Sequence, residues 1–162
     1  MLSLKVRNFL ILIISLVVLN SCNSNQGFKE IRDFKNSEWQ IANKQIFRFD
    51  IKDISKTYSF NYLLRYNVGY PYFNIYLEQT LIGPDNKPII KTMDEIILFD
   101  QKTGKPLGDG MGDLFDLRRK APKLQKFKLN QPGTYQWVIT HNMRPDPLEG
   151  IMSVGAEVVF EE

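Results

Sequence analysis

From Tyr58 to Tyr66 every second residue is large and apolar or aromatic: Tyr58, Phe60, Tyr62, Leu64 and Tyr66. Ser59, Asn61, Leu63, Arg65 and Asn67 fill the positions between them. A period of two sends alternate side chains to opposite faces of an extended chain, so this stretch is a strand with one face that must be covered. The same period recurs where Phe47, Phe49 and Ile51 alternate with Ile46, Arg48 and Asp50. It returns in Tyr72 to Leu81, with Phe73, Ile75, Leu77 and Leu81 on one face, and in Thr134 to His141. Ile89 to Met93, Glu95 to Phe99, Leu124 to Leu129 and Ile151 to Phe160 supply further strand material. Gly83-Pro84-Asp85-Asn86, Asp100 to Gly104 and Gln131-Pro132-Gly133 punctuate the strands as turns, the second with glycine at a left-handed position. Only Asp113 to Arg119 is expected to form a short helix. The expected fold is all-β, a single antiparallel β-sandwich of jelly-roll or Ig-like type spanning residues 39–162. Gly133-Thr134-Tyr135 at a strand start is similar to a tyrosine corner, in which the phenol bonds back to the main chain.

The first 22 residues are of another kind. Lys5 and Arg7 precede an eleven-residue apolar run, Phe9 to Leu19, broken only by Ser15. That run is too short for a membrane span, which takes roughly 20 residues, and its order is that of a secretory signal. Leu19-Asn20-Ser21-Cys22 resembles a lipobox, with cleavage between Ser21 and Cys22 and lipid attachment at Cys22. Residues 1–21 are therefore expected to be removed, and 22–38 to serve as the lipidated cysteine, tether and lead-in segment. The chain has one cysteine, so no disulfide can brace the domain. Stable anchoring takes about two acyl chains, which a lipidated Cys22 would supply.

Without Lys5 and Arg7 the chain carries 19 basic and 18 acidic residues. That balance offers no footprint for nucleic acid. His141 is the only histidine, so neither a zinc site nor a Cys/His pair can be assembled, and it reads as a hydrogen-bonded residue at the core's edge. Gly108 to Asp113 (GDGMGD) lacks the helix–loop–helix calcium spacing and reads as a tight loop. No nucleophile elbow or phosphate loop is present. Catalytic residues, metals, cofactors and a small-molecule substrate are accordingly not expected.

Three features remain as surfaces. Eight aromatics lie between Tyr58 and Tyr76; as core they line the sandwich, and if exposed they suit sugar rings or a protein. Tyr70 and Tyr72, flanking Pro71, are expected to be the exposed ones. Arg118, Arg119, Lys120, Lys123, Lys126 and Lys128 form an acid-free basic run, read as a solvated edge or as a face for anionic lipid or an acidic partner. Residues 143–150 (MRPDPLEG) form a loop whose Met143, Arg144 and Asp146 no core pattern explains.

Several stretches together resemble the GldH family of gliding-motility lipoproteins of Bacteroidetes. They are Tyr70 to Leu77, Gly104-Lys105-Pro106-Leu107-Gly108 through Gly112-Asp113, Gly133-Thr134-Tyr135, Met143-Arg144, Leu148-Glu149-Gly150-Ile151 and Val154-Gly155. The pattern departs after Gly155, where Ala156 stands in place of a larger or basic residue. The resemblance implies an accessory role in gliding tied to type IX secretion, with envelope partners and without catalysis or cofactor. Candidate partner contacts are Tyr70, Tyr72, Asp109, Asp113, Met143, Arg144 and Asp146. Residues 23–28 lack the acidic cluster that resembles a surface-export signal, which places the expected anchor on the periplasmic face of the outer membrane. The alternative is a lipid-anchored glycan-binding module using the tyrosine-rich sheet.

Overall fold

A computed structural model describes residues 26–161, so Ser21, Cys22 and the leader lie outside the described residues. The strands in chain order are β1 (Gln26–Asp33), β2 (Glu38–Trp39), β3 (Gln45–Ile51), β4 (Thr57–Asn67), β5 (Asn74–Ile82) and β6 (Pro88–Ile97). They continue as β7 (Asp109–Met111), β8 (Leu114–Lys120), β9 (Phe127–Lys128), β10 (Gly133–His141), β11 (Leu148–Glu149) and β12 (Ile151–Glu161). One sheet runs β1-β12-β4-β8-β7, with β9 also on β4; the other runs β3-β10-β5-β6. A small β2–β11 ribbon stands beside them. Every described pairing is antiparallel. The chain is an all-β sandwich.

The alternation sorts the residues as expected. Phe60, Tyr62, Leu64 and Tyr66 of β4 are buried against Phe47, Leu77, Leu81 and Trp137 of the opposing sheet. Trp137 sits 5.3 Å from the Phe60 ring and 4.9 Å from the Tyr62 ring. The Tyr135 hydroxyl donates to the Gln131 carbonyl at 2.7 Å, the bond a tyrosine corner makes. Gly104 takes a left-handed φ of 68° in the Asp100 turn, where Thr103 donates to the Asp100 carboxylate.

Two charged residues close one side of the sandwich. β1 and β3 are edge strands of different sheets. Arg32 of β1 donates to the Ile46 carbonyl of β3 at 2.8 Å, lies 4.9 Å over the Phe47 ring and pairs with Glu30. Inward-facing charges on edge strands discourage pairing with a foreign strand.

The structure corrects four readings. Asp113 to Arg119 is not a helix; Leu114–Lys120 is a strand held between β4 and β7. Its inward positions are Phe115, Leu117 and Arg119, paired with Tyr66, Leu64 and Tyr62, and the arginine in that series breaks the apolar period. Ile89 to Met93 and Glu95 to Phe99 join as one strand, β6, because Asp94 faces inward and finds partners there. Leu124 to Leu129 shrinks to the two-residue β9, since Pro122–Leu124 forms a 3-10 turn and Lys126 adopts a left-handed φ of 49°. Lastly, segment 22–38 is not only a tether: β1 lies inside it and pairs along β12 from Gln26 to Asp33. Its Phe28, Glu30 and Arg32 face the core side, but the charges hide the period.

Candidate functional site

The residues singled out by sequence fall in three groups, 70–72, 109–113 and 143–146, thirty or more positions from one another, yet the fold brings their loops to one end. β8 pairs antiparallel with β4, which places Leu114 beside Asn67, so the β7–β8 turn sits at the far end of β4. β12 starts at Ile151 opposite Tyr66, so residues 143–150 enter at the same end. The segment after β4 links the two. The Val68 amide donates to the Asp113 carbonyl at 3.0 Å, and the Asn67 amide donates to the Gly150 carbonyl at 3.1 Å. Gly150 has φ of 86°, and a Cβ there would stand 2.9 Å from the Tyr70 Cα, so glycine permits both the turn and the close approach. The 98–108 segment joins through Leu98 and Phe99 amides on the Phe73 carbonyl, and through the Gly108 amide on the Tyr66 hydroxyl.

Loops 67–73, 98–108, 111–114 and 143–150 thus form one end of the sandwich. Their exposed apolar residues are Val68, Tyr72, Phe73, Leu107, Met111 and Leu114, with Met111 92% exposed. An open groove of about 540 Å³ lies beside Val68, Tyr72 and Phe73, with Tyr70, Pro71, Phe99, Asp100, Gln101 and Gly104 completing its lining. Asp109 and Asp113 are exposed beside Met111 and make no ion pair among the described residues.

Of the candidate contacts, Tyr72 is 37% exposed and lines the groove. Tyr70 is a correction: it is buried, donates its hydroxyl to the Asn74 carbonyl at 2.9 Å and stacks edge-on with Tyr72. Burial pushes its phenol pKa up. Flanking Pro71 fixed the bend of this segment but not which tyrosine points inward; Gly150 decides that by letting the chain pass over Tyr70. Met143 is half-buried against the core, with its sulfur accepting from the Tyr76 amide at 3.4 Å. Asp146 accepts from the Ile41 amide at 2.9 Å, which ties the loop to the β2 side. Arg144 is exposed and makes no ion pair among the described residues.

His141 is buried behind this loop. Its Nε2 lies 3.0 Å from the Trp39 carbonyl, and its Nδ1 accepts from the Met143 amide. That is the pattern of a neutral ring with hydrogen on Nε2, and burial lowers its pKa. Most of the aromatic band is core: Tyr58, Phe60, Tyr62 and Tyr66 are buried, as the alternation in β4 implied, Tyr70 is buried with them, and Tyr76 bonds to Glu95, while Tyr72 and Phe73 are exposed. A solvent-facing tyrosine trio is therefore not formed, which removes the feature on which the glycan-binding alternative depended. The basic run divides: Arg118 donates to Glu157, a buried carboxylate also bound by Asn61. Sequence reasoning missed Val68, Phe73, Leu107 and Leu114, whose exposure no period reveals because they lie outside or at the ends of strands.

A β-sandwich behind a lipobox-like leader is the make-up of an envelope lipoprotein. The pattern of the GldH lipoprotein family matches residues 26–158, and the chain belongs to that family. A gliding motility lipoprotein GldH homolog of Christiangramia forsetii is 27% identical over 158 residues, covering 91% of this chain and 92% of the relative. The gliding motility lipoprotein GldH of Flavobacterium johnsoniae is 25% identical over 162 residues, covering 96% of this chain and 98% of the relative. These relatives associate the chain with gliding motility and the cell envelope. Among solved structures, the infectious bursal disease virus VP2 subviral particle aligns over 86% of this chain and 33% of that one, at 14% identity. Its TM-score of 0.32 gives that likeness no weight.

Proposed function

We propose that this chain is a non-enzymatic accessory lipoprotein of gliding motility, linked to type IX secretion and held by a lipidated Cys22 on the periplasmic face of the outer membrane. The observation that carries the reading is a pairing: a lipobox-like Leu19-Asn20-Ser21-Cys22 holding the sole thiol, directly ahead of a domain that matches the GldH lipoprotein family. Three residues, Asn23 to Asn25, separate Cys22 from β1, and the four Cα steps reach at most about 14 Å, which would hold the sandwich close to its membrane. Catalysis has no role in this reading. The protein acts through assembly with other envelope components, and its loops offer the contacts.

The test is Cys22→Ala in cells fed an alkyne fatty acid. The native chain should take the label, and the variant should remain unlabelled as precursor or unanchored protein. Colony spreading and secretion of surface adhesins should fail with it. Equal labelling of the variant would end the anchoring assignment. Protease added to intact cells should spare the protein; ready digestion without permeabilisation would move it to the outer face.

A further inference from the structure

We infer that the end of the sandwich where β1 starts, with the β3–β4 turn and the lysine-bearing 120–132 segment, seats on anionic lipid headgroups and so fixes how the domain stands on its membrane. The inference rests on the Cys22 anchoring reading, which brings this end to the bilayer.

The strand registers define the end. Gln26, where β1 starts, pairs with Val159, and Val159 pairs with Ser59 near the start of β4. Ile51 pairs with Gly133 and Thr57 with Lys128, so the β3–β4 turn and the segment leading into β10 lie at the same end. Three residues separate Cys22 from β1, and their four Cα steps reach at most about 14 Å. β4 stands two strands from β1, roughly 10 Å away. A lipid on Cys22 would therefore hold this end against the bilayer surface.

Charge is divided along the strands. A cut between Asn61 and Tyr62 of β4, carried through their partners in β12, β1 and β8, separates two halves of the larger sheet. The facing sheet divides between Val138 and Ile139 of β10 and their partners, since Trp137 packs on both Phe60 and Tyr62. On the Gln26 side the described residues hold ten lysines and arginines against five acids. On the far side they hold nine against twelve, with Lys102, Lys105 and Arg144 counted. Glu162, next in the chain, leaves the near side positive. The whole is close to balance, which is why composition hides the division.

The positive half carries its charge where lipid can meet it. Lys120 to Val138 includes four lysines and no acid. Lys52, Lys120, Lys123 and Lys128 are exposed and make no ion pair among the described residues. Glu157, by contrast, is buried and bound by Arg118. An anionic surface attracts the near half and repels the far one, a torque that turns the Gln26 end to the lipid. Surface charges act over about 8 Å at physiological salt, a range that only an end held this close can use. Ile54, 39% exposed between Lys52 and Lys56, adds an apolar side chain at the tip of the turn.

The experiment takes the full-length lipidated protein into vesicles of phosphatidylcholine alone, or of phosphatidylcholine with phosphatidylglycerol, each doped with a nitroxide-headgroup lipid. With Cys22 acylated, Asn130→Cys or Met111→Cys supplies the sole thiol for a fluorophore, the first exposed at the lysine end and the second at the far end. With phosphatidylglycerol present, quenching of the Asn130→Cys label should rise about threefold, and high salt should abolish the rise. The Met111→Cys label should not respond. Lys52→Glu with Lys128→Glu should remove the rise while the protein still floats with both kinds of vesicle. Equal quenching of the Asn130→Cys label in the two lipids, or stronger quenching of the Met111→Cys label, would overturn the seat. So would a rise that grows with protein density, the mark of a second copy. Protein that does not float with phosphatidylcholine alone lacks an acyl anchor, which sinks the Cys22 reading and the seat with it; floating protein with equal quenching sinks the seat alone. Should the double variant fail to accumulate, the salt dependence of the Asn130→Cys label carries the same expectation.

Discussion

The Tyr62 hydroxyl of β4 donates to Asp94 Oδ2 of β6 at 2.8 Å, joining the two sheets through a polar bond inside the core. Gln79 reaches the same oxygen at 3.5 Å and accepts from the Trp137 indole at 2.6 Å. Burial and the neighbouring carboxylate push the Tyr62 phenol pKa up, so it stays a donor. Buried polar groups are costly unless satisfied, and here each satisfies the next.

Tyr62→Phe should therefore cost more than the hydroxyl's own bond, because Asp94 is left with the long Gln79 contact. We expect a loss of about 1–3 kcal/mol, read as a lower urea midpoint with an unchanged slope. A double-mutant cycle with Asp94→Leu should show strong coupling. Additive losses would mean that the bond does not hold the sheets together.

Trp137→Ala removes a fully buried ring packed between Phe60 and Tyr62 and leaves Gln79 without its donor. The expected cost is about 3–5 kcal/mol. Equilibrium unfolding followed by circular dichroism measures it; a loss no larger than the roughly 0.5 kcal/mol of a surface change would contradict the packing.

Stability should fall as the pH is lowered from neutrality. His141 has a folded pKa below its unfolded value, because burial disfavours the charged ring. As acid is added, the unfolded chain takes up a proton first, at about pH 6.5, where histidine ordinarily titrates. In that window it binds more protons than the folded chain, so the unfolding free energy drops. The contribution is complete above the unfolded pKa and is lost towards the folded one. Urea midpoints across this range should show the decline for the native chain and a shallower one for His141→Gln.

Gly155→Val should strip β1 from β12. A Cβ at Gly155 would stand 2.7 Å from the Glu30 carbonyl and 2.8 Å from Ile31. Overpacking of this kind costs about 1–3 kcal/mol. Hydrogen exchange should rise first in residues 26–33, and unaltered protection there would refute the close approach.

Arg144→Ala separates a contact residue from a structural one. The side chain is exposed and has no ion pair among the described residues, so stability should stay within about 0.5 kcal/mol. Colony spreading should nonetheless fall. Lost stability at once would show that the loop depends on Arg144 internally.

The sequence by itself determined the faces of the central strands. Their side chains alternate with a period set by the extended backbone, and that period is local. It likewise determined the turns at Gly83 and Gly104 and the Tyr135 corner, each a matter of a few consecutive residues. It also carried the lipobox-like leader, which lies outside the described residues. Only the tertiary structure decided where Tyr70 points, since the space it fills exists because Gly150 passes over it. The same holds for β8 and β1, whose inward Arg119, Glu30 and Arg32 break the apolar period; Arg32 makes sense only with the Ile46 carbonyl and the Phe47 ring of β3 beside it. The loop end was assembled in the same way. Val68, Tyr72, Met111 and Arg144 come together because β4 pairs with both β8 and β12, and strand pairing joins residues by hydrogen bonds across sequence distances that no local pattern records.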